Sequence, residues 1–316
     1  MEARAEARLP DGEGWWYEPK WDGFRCLVFR SGDQVRLQAK SGKPLTRYFP
    51  EVVDAVKAIP ADRFVLDGEL LVAANGAFAF EAIQMRLHPA ESRIRRLAAE
   101  TPAMLAVFDM LEDGAGRDLR PLPLTERKAA LERFVTEAGT PMLSLTPGTG
   151  DLATAEAWLA DGKLEGIVAK RLDAPYLPGE RAMVKVKRVR TADCVVGGFR
   201  YASGAKVVGS LLLGLYDDSG KLNHVGFTSG LSTADKPSLT ERLEALRGSE
   251  GFTGDKPGGP SRWSTERSSE WVPLRPELVV EVSFDHVSAG RFRHGTRLVR
   301  FRPDKAPAQC RMEQIA

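Results

Sequence analysis

Short apolar runs, alternating or unbroken, set the rhythm of the first 190 positions. Phe24 to Phe29 and Val35 to Gln38 read as two strands, and Ser31-Gly32-Asp33 between them is a hairpin signal. Arg63 to Val72 and Met104 to Met110 are apolar strands, the first carrying Asp67-Gly68-Glu69 at its centre. Leu124, Leu131, Phe134 and Val135 share one face at helical spacing. That predicts a helix over Leu124 to Val135, with Thr125 as its candidate cap. A shorter helix is expected over Leu152 to Leu159, then a strand over Gly166 to Lys170. Sheets flanked by helices make this part a mixed α+β domain.

The composition shifts near residue 190. Cys194 to Phe199, Val207 to Tyr216, Asn223 to Phe227, Leu278 to Phe284 and Thr296 to Phe301 are short strands, with one helix expected over Ser238 to Leu246. Five strands and a helix in this length fit a small closed sheet, and an oligonucleotide-binding (OB) barrel is the natural candidate. Residues 248–270 are dominated by Gly, Ser, Thr and Pro and are expected to form a mobile surface loop. The division that follows is residues 1–190 and residues 191–316.

Length supports this division, since 316 residues exceed one ordinary core. No apolar run reaches the roughly 18 residues that span a bilayer, and Met1-Glu2-Ala3-Arg4 does not start a signal peptide. Cys26, Cys194 and Cys310 are scattered and odd in number, which offers neither a disulfide framework nor paired zinc ligands and suits a reducing cytoplasm. A net charge of +2 hides local clustering. Arg181, Lys185, Lys187, Arg188 and Arg190 fall within ten residues, and Arg291, Arg293, Arg297, Arg300 and Arg302 crowd a segment without an acid. Such patches either neutralise phosphates or form solvated strand faces.

The chemistry concentrates in Glu18-Pro19-Lys20-Trp21-Asp22-Gly23-Phe24-Arg25, which frames one lysine with charge, an aromatic ring and a turn. An ammonium normally titrates at about 10.4, so a nucleophilic lysine needs nearby cations to favour its neutral form. Arg25, Lys185, Lys187 and a bound divalent ion could supply that field for Lys20. Alternation puts Lys185 and Lys187 on one strand face, a costly pairing unless an anion lies between them. Glu69 and Glu165, each in an apolar strand-like run, could hold a hard cation or a ribose hydroxyl. Taken alone, Phe108 reads as core and Arg302-Pro303-Asp304-Lys305 as a charged turn.

As an ordered set, the Lys20 octapeptide, Leu66-Asp67-Gly68-Glu69, Phe108-Asp109, Glu165-Gly166-Ile167-Val168-Ala169-Lys170, Lys185-Val186-Lys187 and Arg302-Pro303-Asp304-Lys305 resemble the nucleotidyltransferase motifs of ATP-dependent DNA ligases. The pattern is nearest to the small stand-alone bacterial type often called C-type. The resemblance implies an adenylation domain followed by an OB-fold domain, with Lys20 attacking ATP and passing AMP to a DNA nick. It implies that Glu18 recognises the base, that Phe108 and Ile167 cover its two faces, and that Arg25 contacts sugar or phosphate. Glu69 would meet ribose or metal, and Glu165 the metal, Mg2+ or Mn2+. Lys170, Lys185 and Lys187 would meet phosphate, and Arg181 phosphate or ribose. Arg302 and Lys305 would orient the leaving phosphates as their segment swings over the nucleotide.

Two departures stand out. Ala39-Lys40-Ser41-Gly42 replaces the usual Ser-Arg-x-Gly, so Lys40 keeps the charge of that nucleotide contact without the planar fork of Arg. Met183 stands where many ligases have Trp. With 19 residues before Lys20, the chain is expected to lack the large N-terminal DNA-binding domain of eukaryotic replicative ligases. A capping guanylyltransferase using GTP, an RNA ligase, and a non-catalytic nucleic-acid-binding barrel beside a dead domain are the rival readings. Tyr176-x-x-Gly179-x-Arg181 favours the DNA ligase, and the three scattered cysteines disfavour an NAD-dependent one. The implied partner is nicked duplex DNA, without a membrane, for a monomeric cytoplasmic repair enzyme that works with unidentified repair proteins.

Overall fold

The structure, a computed structural model, describes residues 1–74, 76–161, 164–258 and 270–315. Residues 1–188 form one compact unit. In chain order it holds strands β1 (Ala3–Ala5), β2 (Trp15–Lys20), β3 (Phe24–Ser31) and β4 (Gln34–Ala39), helix α1 (Pro50–Ala58), and strands β5 (Arg63–Ala74) and β6 (Ala77–Phe78). Helices α2 (Phe80–Gln84) and α3 (Glu91–Glu100), strand β7 (Ala103–Glu112), helix α4 (Leu124–Ala138) and strand β8 (Leu143–Leu145) follow. Helix α5 (Leu152–Asp161) and strands β9 (Gly166–Arg171) and β10 (Met183–Lys187) complete it.

Two sheets result, one ordered β1-β10-β9-β2 and the other β4-β3-β5-β7-β8 with β6 on β5. The predicted hairpin forms between β3 and β4, with Gly32 at φ +56° in its turn. Alternation assigns the two faces of β3. Cys26 and Val28 enter a core shared with Leu66, Leu70, Val107 and Leu131, whereas Leu27 joins Met1, Val65, Leu111, Tyr176 and Met183 in a cluster on the other side. In the first sheet Tyr17, Ile167, Ala169, Val184 and Val186 pack together with Ala155 of α5. The strands approach closely at Gly166, where a Cβ would stand 2.3 Å from the Val186 carbonyl oxygen, so only glycine fits.

Helix α4 carries more than its apolar stripe. Arg127 is fully buried and grips Asp109 on β7 through two bonds, Nε to Oδ1 at 2.7 Å and Nη2 to Oδ2 at 3.0 Å. Its remaining nitrogen donates to the carbonyls of Leu122 (2.6 Å) and Ala174 (3.0 Å). Asp109, next to the motif phenylalanine, therefore pins α4 to the sheet. Thr125 does not cap the helix: Pro123 precedes the first turn, no side chain caps it, and the Thr125 amide donates to Leu172. Removing one partner of a buried, hydrogen-bonded pair leaves an uncompensated charge. Arg127→Met is thus expected to cost about 3–5 kcal/mol, read from the urea midpoint. A loss under about 1 kcal/mol would show that the helix is held by its apolar face alone.

Residues 189–316 form the second unit. Its elements are β11 (Arg190–Tyr201), β12 (Val208–Tyr216), β13 (Leu222–Thr228), α6 (Lys236–Ala245), β14 (Val272–Pro273), β15 (Val279–Phe284), β16 (Val287–Ser288), β17 (Arg291–Phe292) and β18 (Arg297–Phe301). The main sheet runs β13-β12-β11-β15-β18, and Thr228 bridges Thr296 in parallel to bring its two ends together. A first long strand paired with the second and fourth, and a fifth closing on the third, is the OB-fold barrel. Alternating Val and Leu from β11, β12 and β15 fill it.

The segment 248–270 departs from a free loop where it is described. Phe252 is fully buried against His224 and Trp271, and the amides of Thr253 and Gly254 donate to Leu222. One large aromatic anchors a stretch whose composition reads as solvent-exposed. Residues 259–269 lie outside the described residues. All three cysteines are free and buried. Among the described residues, no helix is long and apolar enough to cross a membrane.

Candidate active site

Strand β2 projects Trp16, Glu18 and Lys20 to the face opposite Tyr17. Register places Glu18 across from Val168 and Lys20 across from Gly166, while Lys185 lies across from Val168 on its other side. Directly opposed residues share a face, so Glu18, Lys20, Val168, Lys170 and Lys185 converge. With Arg25, Glu69 and Phe108 from the second sheet and Lys40 from the turn after β4, they line a cavity of about 230 Å³.

Lys20 Nζ donates to Oε2 of Glu165, and Lys187 Nζ lies 3.1 Å from Oε1 of the same carboxylate. Glu165 is thus the anion that makes two lysines on one side of the sheet tolerable. Burial works to raise its pKa, but Lys20 and Lys187 outweigh that and hold it below the usual range. Lys185 is pushed below the ordinary lysine range by burial, and then by Lys20, Lys187 and Lys40. Positive charge is thus crowded around Lys185, with Lys20, Lys187 and Lys40 all acting on it. Glu69 behaves oppositely: burial lifts its carboxyl to about 8 against the pull of Lys20 and Arg25, and it accepts the Gly23 amide at 3.2 Å.

Glu18 is buried and fully engaged. Its Oε1 accepts from Lys128 Nζ at 2.9 Å and Trp16 Nε1 at 3.1 Å, and its Oε2 lies 2.6 Å from Lys170 Nζ. The Lys170 ammonium also sits over the Phe108 ring, 4.5 Å from its centroid. Arg25 is held by the protein: Nε and Nη2 grip Asp67 at 3.0 and 2.6 Å, and Nη1 donates to the Met1 carbonyl at 2.5 Å. Tyr176 donates to the same aspartate at 2.8 Å. Lys40 is at the rim, half-exposed, 3.3 Å from Glu2.

Two expected positions fall elsewhere. Ile167 is fully buried among Tyr17, Ala169, Val184 and Val186 on the far face of the sheet, and Val168 lines the cavity instead. Strand parity is the reason: Ile167 cannot share a face with Lys170, three residues along. Arg181 is exposed ahead of β10 and does not line the cavity.

In the barrel unit, Arg302 Nη1 donates to Asp193 Oδ1 at 2.9 Å and Lys305 Nζ to Asp193 Oδ2 at 2.6 Å. Arg302 also grips Asp304, and Arg300 pairs with Glu281 at 2.7 Å. Arg291 contacts the buried His224. Two of the five arginines from Arg291 to Arg302, Arg300 and Arg302, are therefore paired with acids. Trp16 and Lys128, which hold Glu18, and Asp193, which holds Arg302 and Lys305, are the partners of expected site residues that sequence reasoning missed. For Lys128 a signal existed, because Arg127 and Lys128 occupy the stripe defined by Leu124 and Leu131.

A cleft lined by Glu18, Lys20, Phe108, Lys170 and Lys185 in one unit, with an OB barrel as the other, fits the plan of a nucleotidyltransferase. The family description "ATP dependent DNA ligase domain" matches residues 5–187 and "ATP dependent DNA ligase C terminal region" residues 204–305. The chain belongs to the ATP-dependent DNA ligases. It is 43% identical to DNA ligase C2 of Mycolicibacterium smegmatis, across 100% of this chain and 93% of that protein. It is 42% identical to DNA ligase C of Mycobacterium tuberculosis, across 95% and 88%. A solved Lig E DNA ligase structure superposes with a TM-score of 0.60 at 16% identity, covering 96% of this chain and 100% of its own, a likeness of fold.

Proposed function

We propose that this DNA ligase uses Lys20 as its nucleophile and nicked duplex DNA as its substrate. The observation that carries the reading is the Lys20–Glu165–Lys187 cluster at the edge of a cleft that also presents Glu18, Phe108 and Lys170. The Lys20 amine attacks the α-phosphorus of ATP, a P–N bond forms, and the P–O bond to pyrophosphate breaks. The amine must shed its proton in this step, which frees the lone pair that forms the P–N bond. An oxygen of the 5′-phosphate at the nick then takes AMP and frees Lys20. The 3′-hydroxyl attacks that 5′-phosphate, AMP leaves, and the strand is sealed.

Lys170, Lys185 and Lys187 stabilise phosphate charge, and Phe108 stacks on the base. Glu69 and Glu165 fit a divalent cation: both are oxygen donors, and burial of Glu69 leaves a carboxyl that the surrounding lysine and arginine do not fully compensate. Among the described residues no group of three or more His, Cys, Asp or Glu gathers for a metal. That suits an ion completed by water and substrate phosphates. When bound, the ion offsets negative charge on the triphosphate as pyrophosphate departs. The free, buried thiols favour a cytoplasmic setting, and the reading places this ligase in strand repair as a monomer.

The test follows one label. Protein incubated with α-labelled ATP and Mg2+ is expected to gain protein-bound AMP, and added nicked DNA should discharge it as a 5′-adenylate and then free AMP. EDTA should reduce loading to background. Labelling from GTP in preference to ATP, or a label that nicked DNA cannot discharge, would contradict the reading.

A further inference from the structure

We propose that Lys128 and Trp16 are positioning residues that divide the Glu18 carboxylate into an anchored oxygen and a reading oxygen, selecting a 6-amino purine over a 6-oxo purine. The inference rests on the adenylylation reading above. A carboxylate oxygen has two acceptor sites. Lys128 and Trp16 fill both on Oε1. They also brace each other, since the Lys128 ammonium lies over the Trp16 ring at 4.9 Å from its centroid. Among the described residues Oε2 has one partner, Lys170.

That partner occupies the position a base needs. Phe108, Lys170 and Arg25 all line this cleft, with the Lys170 ammonium 4.5 Å and the Arg25 guanidinium 5.8 Å from the Phe108 ring centroid, so a base stacking on Phe108 there competes with the nearer cation, Lys170. Lys170 must therefore leave as the nucleotide enters, and the triphosphate offers it a new anion. Without a second cation, its departure would strand a buried carboxylate, since Glu18 is only 2% exposed. Lys128, itself buried and rooted in α4, remains as the permanent counter-ion. Glu18 then keeps its place, with Oε2 vacated as an acceptor. The 6-amino group of adenine donates to it; the 6-oxo group of guanine sets acceptor against acceptor.

Removal of Lys128 has a definite consequence. Lys170 becomes the remaining counter-ion of Glu18, so it moves off the Phe108 ring but stays on Oε2, and there presents a donor that a 6-oxo group can accept from and a 6-amino group cannot. Lys20-AMP and Lys20-GMP formation are measured with α-labelled ATP and GTP for wild type, Lys128→Met and Lys128→Arg. Lys128→Met is expected to lower the ATP:GTP ratio of kcat/KM by about tenfold or more, mainly through a higher KM for ATP, and Lys128→Arg to recover most of it. Equal loss with both nucleotides, leaving the ratio unmoved, would overturn the proposal and make Lys128 a stability residue. If Lys128→Met fails to fold, Trp16→Phe removes the other donor to Oε1 while keeping a ring. It should lower the ratio about threefold, and an unchanged ratio there overturns the proposal equally. Wild-type protein that takes no label from ATP would overturn the parent reading and this one with it. Normal wild-type labelling with a ratio unmoved in the variants overturns this one alone.

Discussion

Lys20→Ala and Lys20→Arg, given α-labelled ATP and Mg2+, are expected to retain no protein-bound AMP, a fall of at least about 10⁴-fold to background. Alanine removes the amine proposed to form the P–N bond. Arginine tests more, because it keeps the charge and could preserve the pairing with Glu165. A guanidinium does not deprotonate at working pH, so it supplies charge without a lone pair. Failure of both variants separates nucleophile from electrostatic support, whereas activity in Lys20→Arg alone would reduce Lys20 to a phosphate ligand. Normal labelling in either variant would remove Lys20 from the chemistry. Folding is not expected to suffer, because the Lys20 side chain remains 21% exposed at the end of its strand.

A second large effect is expected in the barrel unit, and in one chemical step only. Arg302→Ala or Lys305→Ala should slow Lys20-AMP formation about 10²–10³-fold, yet leave sealing of a nick already bearing 5′-AMP within about threefold of wild type. The reasoning follows charge. Pyrophosphate carries the growing negative charge in the first step, and no comparable leaving group appears in the last. Asp193 gathers these two cations on its two carboxylate oxygens, so they are presented together. Equal loss in both assays would show a general structural role. No loss in either would make Arg302-Pro303-Asp304-Lys305 an ordinary charged turn.

Legibility in the sequence followed the range of the interaction. The hairpin of β3 and β4, the interior strands β5 and β7, and the alternation of Lys185 and Lys187 depend on neighbours in the chain, and periodicity shows them. What failed was parity or distance. Ile167 and Val168 are equally apolar, and only the register of β9 against β2 shows which one faces the cleft. The basic stripe from Arg291 to Arg302 contains no acid, but its partners Asp193 and Glu281 arrive from β11 and β15. Phe252 is one aromatic in a glycine-rich polar stretch, yet it packs into the barrel core. Glu18 was legible as a residue of the site, and it lines the cleft, while its counter-ion Lys128 stands 110 residues away in sequence.

The three thiols bear on how the two units can be studied. Cys26, Cys194 and Cys310 are fully buried, and burial pushes all three pKa values up, Cys310 to about 11. A thiol held protonated and out of solvent reacts slowly with maleimides. The native surface is therefore chemically silent to such reagents, and an added cysteine supplies the only reactive handle. Arg95 in the first unit and Asp218 in the second, with side chains 75% and 96% exposed, offer one attachment point each. A donor and an acceptor dye on Arg95→Cys and Asp218→Cys can report the separation of the units through each chemical step, with every native cysteine left in place.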